Sequence, residues 1–81
     1  MDIKLYTVIG CKNCLLIKAY LEDKNVQFEE IDADKDMEAT VDVMKKAGVE
    51  FLPVVQYDGD NFITGYDKDN LSKLVKLYAN S

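Results

Sequence analysis

The sequence predicts an α/β fold of βαβ followed by ββα, a four-stranded mixed sheet flanked by three helices. Three observations carry that prediction. Alternating, β-rich runs trade places with stretches that hold apolar residues at helical spacing. A hairpin signal, Asp58-Gly59-Asp60-Asn61, falls between the last two strands. Residues with helix-starting or helix-stopping chemistry (Asn25, Asp34, Gly48, Asp67) stand at the ends of the helical stretches.

The elements follow in chain order. Ile3-Lys4-Leu5-Tyr6-Thr7-Val8 alternates and reads as the first strand, which Gly10 breaks. From Cys11 to Glu22 there is neither Gly nor Pro, and Cys14, Ile17 and Leu21 fall on one helical face, with Asn25 as the stop. Val26–Ile31 reads as the second strand. Asp32-Ala33-Asp34 is a turn with Asp34 as N-cap of a helix that buries Thr40, Val43, Met44 and Ala47, and Gly48 suits its C-terminal end. Leu52–Tyr57 is the third strand and Phe62–Thr64 the fourth. Gly65 ends it, and Asp67 caps a last helix with Leu71, Leu74, Val75 and Tyr78 on its apolar face. A βαβ unit requires parallel strands and a right-handed crossover, whereas the hairpin makes the second pair antiparallel. Residues 1–81 are expected to form one domain.

Ten Lys and no Arg stand against 15 Asp plus Glu, a formal net charge of -5. Phosphate binding needs clustered positive charge, so nucleic acid is not an expected partner. The acidic excess favours solubility and partners with basic rims. No apolar run approaches the ~20 residues of a membrane span, and the N-terminus lacks the pattern of a signal peptide. A cytoplasmic location is the expectation, and in that reducing compartment a cysteine pair reads as catalytic or metal-binding rather than structural. The absence of His removes Ser-His and Cys-His schemes and most zinc sites.

The two cysteines, Cys11 and Cys14, sit where the first strand hands over to the first helix. Free N–H groups and a partial positive charge at a helix start stabilise a thiolate, and thiol pKa values fall from ~8.5 into the ~3.5–7.5 range in such settings. Lys12 either adds a nearby cation or is simply solvated. Cys11, at the exposed edge, is expected to attack, and Cys14, one turn inside, to resolve. A structural disulfide, half of a zinc site shared across a dimer, and two inert thiols are the bland alternatives. A three-residue loop removes little unfolded-state entropy, so the bond is better suited to being made and broken. Leu15 and Leu16 are ordinarily core residues, but one helix cannot turn both inward, so one belongs to an exposed rim.

Pro53 has an ordinary reading as the first residue of a strand. Cis bonds are only ~5–6% of X–Pro bonds in folded proteins, so the residue alone does not argue for one. Capping the last helix is reason enough for Asp67.

Taken together, Tyr6-Thr7, Cys11-x-x-Cys14, Leu52-Pro53-Val54-Val55 and Gly65-Tyr66-Asp67 before a closing helix resemble a glutaredoxin over essentially the whole chain. The resemblance implies a thioredoxin-like, glutaredoxin-type fold and dithiol–disulfide oxidoreductase activity on protein or glutathione-mixed disulfides. It implies that Pro53 is cis, that Leu52 and Pro53 form one wall of the site, and that Gly65, Tyr66 and Asp67 meet the γ-glutamyl end of glutathione. It implies no tightly bound cofactor and no metal, with glutathione as a candidate reductant. The departures matter. Lys12-Asn13 replace the common Pro-Tyr, Val8 stands where many members have Lys, and Phe51-Leu52 replace Thr-Val. Gly65–Leu71 is similar in spacing to the redoxin that serves ribonucleotide reductase and is recharged by thioredoxin reductase. Ribonucleotide reductase and thioredoxin reductase therefore join the expected partners. An iron–sulfur carrier and a non-catalytic redox-sensing domain remain the rival readings.

Overall fold

Ile3, Leu5 and Thr7 face one side of the first strand and Lys4 and Tyr6 the other, and all but Lys4 are buried, as befits a strand covered on both sides. The computed structural model, which describes residues 1–80, makes it a central strand of one sheet. The elements are β1 (Ile3–Thr7), α1 (Lys12–Asp23), β2 (Glu29–Asp32), α2 (Met37–Ala47), β3 (Val54–Tyr57), β4 (Asn61–Thr64) and α3 (Lys68–Ala79). The strand order is β2-β1-β3-β4. β1 runs parallel to β2 and antiparallel to β3, and β3 runs antiparallel to β4. This is the predicted mixed sheet with three helices.

Strand periodicity splits the core in two. Ile3 and Leu5 of β1 and Val55 of β3 point to one face, where they meet Ile17 and Leu21 of α1 and Leu71 and Leu74 of α3. Tyr6 and Val54 point to the other face and meet Val43 of α2. Leu5, Ile17, Leu21, Leu71 and Leu74 are fully buried, each worth about 1.5–3 kcal/mol relative to exposure. The Tyr6 hydroxyl donates to Gln56 Oε1 at 3.1 Å, so its polar tip is satisfied on the α2 face. Burial first, then the charges of Glu29, Asp36 and Asp42, push the Tyr6 phenol above its ordinary pKa of 10.0.

Element boundaries differ from expectation where side chains or helix ends claim the backbone. β2 begins at Glu29 rather than Val26. The Val26 N–H donates to Leu21 O at 2.9 Å and the Gln27 N–H to Tyr78 Oη at 3.3 Å, so both serve helices instead of the ladder. α2 is capped by Asp36, not Asp34. The Asp36 carboxylate accepts from Ala39 N–H at 3.1 Å, while the Asp34 N–H donates to Asp32 Oδ1 at 2.9 Å and belongs to the preceding turn. Thr40 and Val43 are buried as expected, whereas Met44 and Ala47 are only half-buried. β3 begins at Val54, since Pro53 has no N–H to give. Asn25 stops α1 with φ 58°, and the hairpin turns through Asp58 (φ 52°) and Gly59 (φ 92°).

Candidate active site

The register gathers several chain segments at one end of the sheet. Tyr6 pairs with Val54 and Thr7 with Asp32, while Val54 also pairs with Thr64. The end of β1, the end of β2, the start of β3 and the end of β4 therefore lie side by side. α1 begins just beyond β1 and α3 just beyond β4, so the helix starts are delivered to that same end.

Val8, Ile9 and Gly10 carry the chain from β1 into α1. Gly10 takes φ 80°, a left-handed conformation that L side chains rarely adopt, although its neighbourhood leaves room for a Cβ. The Cys11 N–H donates to Val8 O at 3.3 Å and closes the turn. Cys11 is then the N-cap of α1, with φ -87° and ψ 109°. Its sulfur accepts the Cys14 N–H at 3.1 Å. A cap of this kind is normally an oxygen of Ser, Thr, Asp or Asn; here a sulfur occupies the position. Cys11 and Cys14 are joined in a disulfide with their Cα atoms 5.3 Å apart. Cys14 is 3% exposed and lies in line with Ile17 and Leu21, while Cys11 is only half-buried.

The other residues expected at the site fall in two groups. Lys12 and Asn13 are exposed on the first turn of α1. Leu52 is half-buried and Pro53 buried, and the peptide bond between them is cis, in agreement with what the glutaredoxin resemblance implies. The Gly65 N–H donates to Pro53 O at 2.9 Å, which ties the end of β4 to the proline. Gly65 has φ 70°, and a Cβ there would meet the Phe51 ring at 3.7 Å, an ordinary contact, so its backbone angle is what favours glycine. Tyr66 is exposed. Asp67 caps α3: Oδ1 accepts the Asn70 N–H at 3.2 Å and Oδ2 accepts from Asn70 Nδ2 at 2.7 Å. Both of its oxygens already have partners within the chain.

Cys11 and Cys14 also line a cleft of about 350 Å³ whose other walls include Thr7, Lys18, Glu30 and Asp32. Neither Pro53 nor Gly65–Asp67 reaches it. Lys18 Nζ pairs with Glu30 Oε1 at 3.0 Å, with 38% and 39% of the two side chains exposed. The Thr7 hydroxyl donates to Glu30 Oε2 at 3.2 Å. The hydrogen bond and charge of Glu30 raise the Lys18 pKa above its usual value of 10.5. Lys18 could have been found from its position seven residues after Cys11 and four after Cys14, on the same helical face. Glu30 could not, because its place depends on the β1–β2 register. Leu15 (66% exposed) and Leu16 (49%) both face outward, so the expectation that one of them joins the core is corrected.

A Cys-x-x-Cys disulfide at the head of the first helix of this mixed sheet defines the class: a thiol–disulfide oxidoreductase on a thioredoxin-like fold. The glutaredoxin family model matches residues 3–63, and the chain belongs to the glutaredoxin family. An uncharacterised glutaredoxin-like 8.6 kDa protein of the rubredoxin operon in Clostridium pasteurianum is 31% identical over 74 residues, covering 91% of this chain and 97% of its own. The gene 56 protein of Mycobacterium phage D29 is 30% identical over 79 residues, covering 98% and 88%. Among solved structures, the glutaredoxin-like NrdH-redoxin of Escherichia coli superposes with a TM-score of 0.79 at 32% identity, over 91% of this chain and 95% of that one. That redoxin has a thioredoxin-like activity profile.

Proposed function

We propose that this protein is a cytoplasmic dithiol electron donor that reduces disulfides in protein substrates, with Cys11 as nucleophile and Cys14 as resolving thiol. The observation that carries the reading is the Cys11 sulfur as helix cap. In the reduced protein the same N–H that now meets it at 3.1 Å is placed to stabilise a thiolate, the form that attacks. Cys11 S⁻ attacks one sulfur of a substrate disulfide. A Cys11–substrate disulfide forms and the first substrate thiolate leaves. Cys14 then attacks Cys11 Sγ, the second substrate thiolate departs, and the two electrons lost by the dithiol leave on the substrate's two sulfurs as the Cys11–Cys14 bond forms.

Lys12, Leu52, Pro53, Gly65, Tyr66 and Asp67 are proposed to line the substrate side of the disulfide. Pro53, lacking an N–H, leaves the strand start open, and Leu52 precedes it with backbone groups outside the β3 ladder. Asp67 contributes chiefly by capping α3, since its carboxylate is engaged there. Among the described residues no helix is long and apolar enough to cross a membrane.

The reductant proposed for the oxidised form is a thioredoxin-reductase-type enzyme rather than glutathione. Val8 offers no cation for a glutathione carboxylate at the position where many family members have Lys, and the similarity to a redoxin with a thioredoxin-like profile supports the same reading. Ribonucleotide reductase is then a candidate substrate. The deciding experiment supplies oxidised protein with NADPH and thioredoxin reductase, or with glutathione and glutathione reductase. Turnover with the first system alone is expected; turnover with glutathione alone would reverse the assignment of the reductant.

A further inference from the structure

The mechanism leaves a proton unaccounted for. Cys14 must lose its proton before it can attack, it is 3% exposed, and the chain has no His to receive one. Resting on the proposed roles of Cys11 and Cys14, we propose that Glu30 takes that proton through solvent in the cleft beside the disulfide, and that Lys18 and Thr7 hold its carboxylate in place.

The placement follows from the sequence and the register. Cys11, Cys14 and Lys18 share one face of α1 by i, i+3, i+7 spacing. Glu30 pairs with Leu5 across β1–β2, and Thr7 lies two residues beyond Leu5. Strand alternation therefore sends Thr7 and Glu30 to the α1 face along with Leu5. The result is one cleft walled by both cysteines and by the Lys18–Glu30–Thr7 set. At about 350 Å³ it has room for several waters, each needing polar partners, which these residues supply. Each carboxylate oxygen is oriented by a different donor, Oε1 by Lys18 at 3.0 Å and Oε2 by Thr7 at 3.2 Å. The charged and titratable groups on the cleft are Lys18 from α1, Glu30 and Asp32 from β2, and the two thiols. β1 contributes only the hydroxyl of Thr7. Asp32, whose Oδ1 accepts the Asp34 N–H at 2.9 Å in the turn after β2, is the rival acceptor.

The Cys14 S–H bond breaks and its proton passes through water to the Glu30 carboxylate. The Cys14 thiolate bonds to Cys11 Sγ as the Cys11–substrate S–S bond breaks. The departing substrate thiolate is the reduced product, and the proton on Glu30 returns to it or to solvent.

Two effects of removing Glu30 have opposite signs, which makes the test sharp. Deleting a nearby negative charge favours a thiolate, so a bystander at position 30 would leave resolution unchanged or faster when replaced by Gln. A proton acceptor would leave it slower. The reduced protein is mixed with neutral 2,2′-dithiodipyridine and thione release is followed by stopped flow from pH 6 to 10. The first release reports Cys11 attack and the second reports resolution by Cys14.

Glu30→Gln is expected to slow the second release about tenfold near neutrality, below what an enclosed acid–base group contributes because Glu30 is two-fifths exposed. The deficit should vanish at the alkaline end, where hydroxide ionises Cys14 directly. Glu30→Asp should restore part of the rate, and Asp32→Asn should behave as wild type. An unchanged or faster second release in Glu30→Gln overturns the proposal, as does a deficit that persists at high pH or one that follows Asp32 instead. If the wild type releases one thione only, or if Cys14→Ser still releases two, the roles of the cysteines fail first and by a separate readout.

Discussion

Two helices, α1 and α3, begin at the same end of the sheet and are capped in the same manner, yet with different atoms. In α3 the Asp67 carboxylate accepts the Asn70 N–H at 3.2 Å. In α1 the Cys11 sulfur accepts the Cys14 N–H at 3.1 Å. Each cap satisfies the amide three residues into its segment, one of the four N–H groups that a helix start leaves without intrahelical partners. Asp67 is a cap of fixed chemistry that stabilises a helix. Cys11 is a cap whose chemistry changes with the redox state, because its sulfur is a thiol or thiolate when free and a disulfide sulfur when bonded to Cys14. One local geometry thus serves stability at one helix and chemistry at its neighbour, and the side-chain atom alone decides which.

The comparison is broken most severely by exchanging sulfur for oxygen. Cys11→Ser should lower disulfide reductase activity to the background rate in an insulin- or glutathione-disulfide reduction assay while leaving the fold intact, since Ser is a favoured cap. Next in size, Leu21→Ala should cost about 2–5 kcal/mol of unfolding free energy in urea, a core loss indifferent to either cap. Under reducing conditions, Cys11→Ala should be less stable than Cys11→Ser by about 1 kcal/mol, and Asp67→Ala should lose a similar amount against wild type. Equal stability of Cys11→Ala and the reduced wild type would mean that the sulfur is not acting as a cap. Activity should fall far more in Cys11→Ala than in Asp67→Ala, which keeps its dithiol.

The smallest expected effect is a pH dependence away from both caps. Burial holds the Tyr6 phenol above its ordinary pKa of 10.0, so the folded state binds this proton more tightly than the unfolded chain does. The stabilisation is complete below pH 10, and it is lost as pH rises from 10 through the folded value. Urea midpoints measured across that range should fall less steeply for Tyr6→Phe than for wild type.

Much of this was legible in the sequence because it depends on local chemistry. The strand-to-helix placement of Cys11 and Cys14, the Asp67 cap and the turn at Asp58-Gly59 each follow from a few adjacent residues. Local chemistry does not separate Asp36 from Asp34, because three Asp at alternate positions offer equivalent local caps. Which of them is used depends on Asp32, whose oxygens draw the Asp34, Lys35 and Asp36 N–H groups into the preceding turn. The sequence alone starts β2 too early because Val26 and Gln27 have strand-like side chains, whereas their N–H groups are taken by α1 and by Tyr78. Glu30 reads as a solvated charge until the register sets it opposite Leu5. The Leu15–Leu16 pair reads as core by composition, and only the orientation of α1 turns both outward.

The disulfide spans a single turn at the head of α1, with its outer sulfur already resting on the helix amide it would meet when reduced. Neither cysteine belongs to the two apolar clusters that hold the helices to the sheet. The redox bond therefore sits apart from the packing that holds the fold, and the half-buried Cys11, beside exposed Lys12 and Asn13, is the part of it a partner can touch.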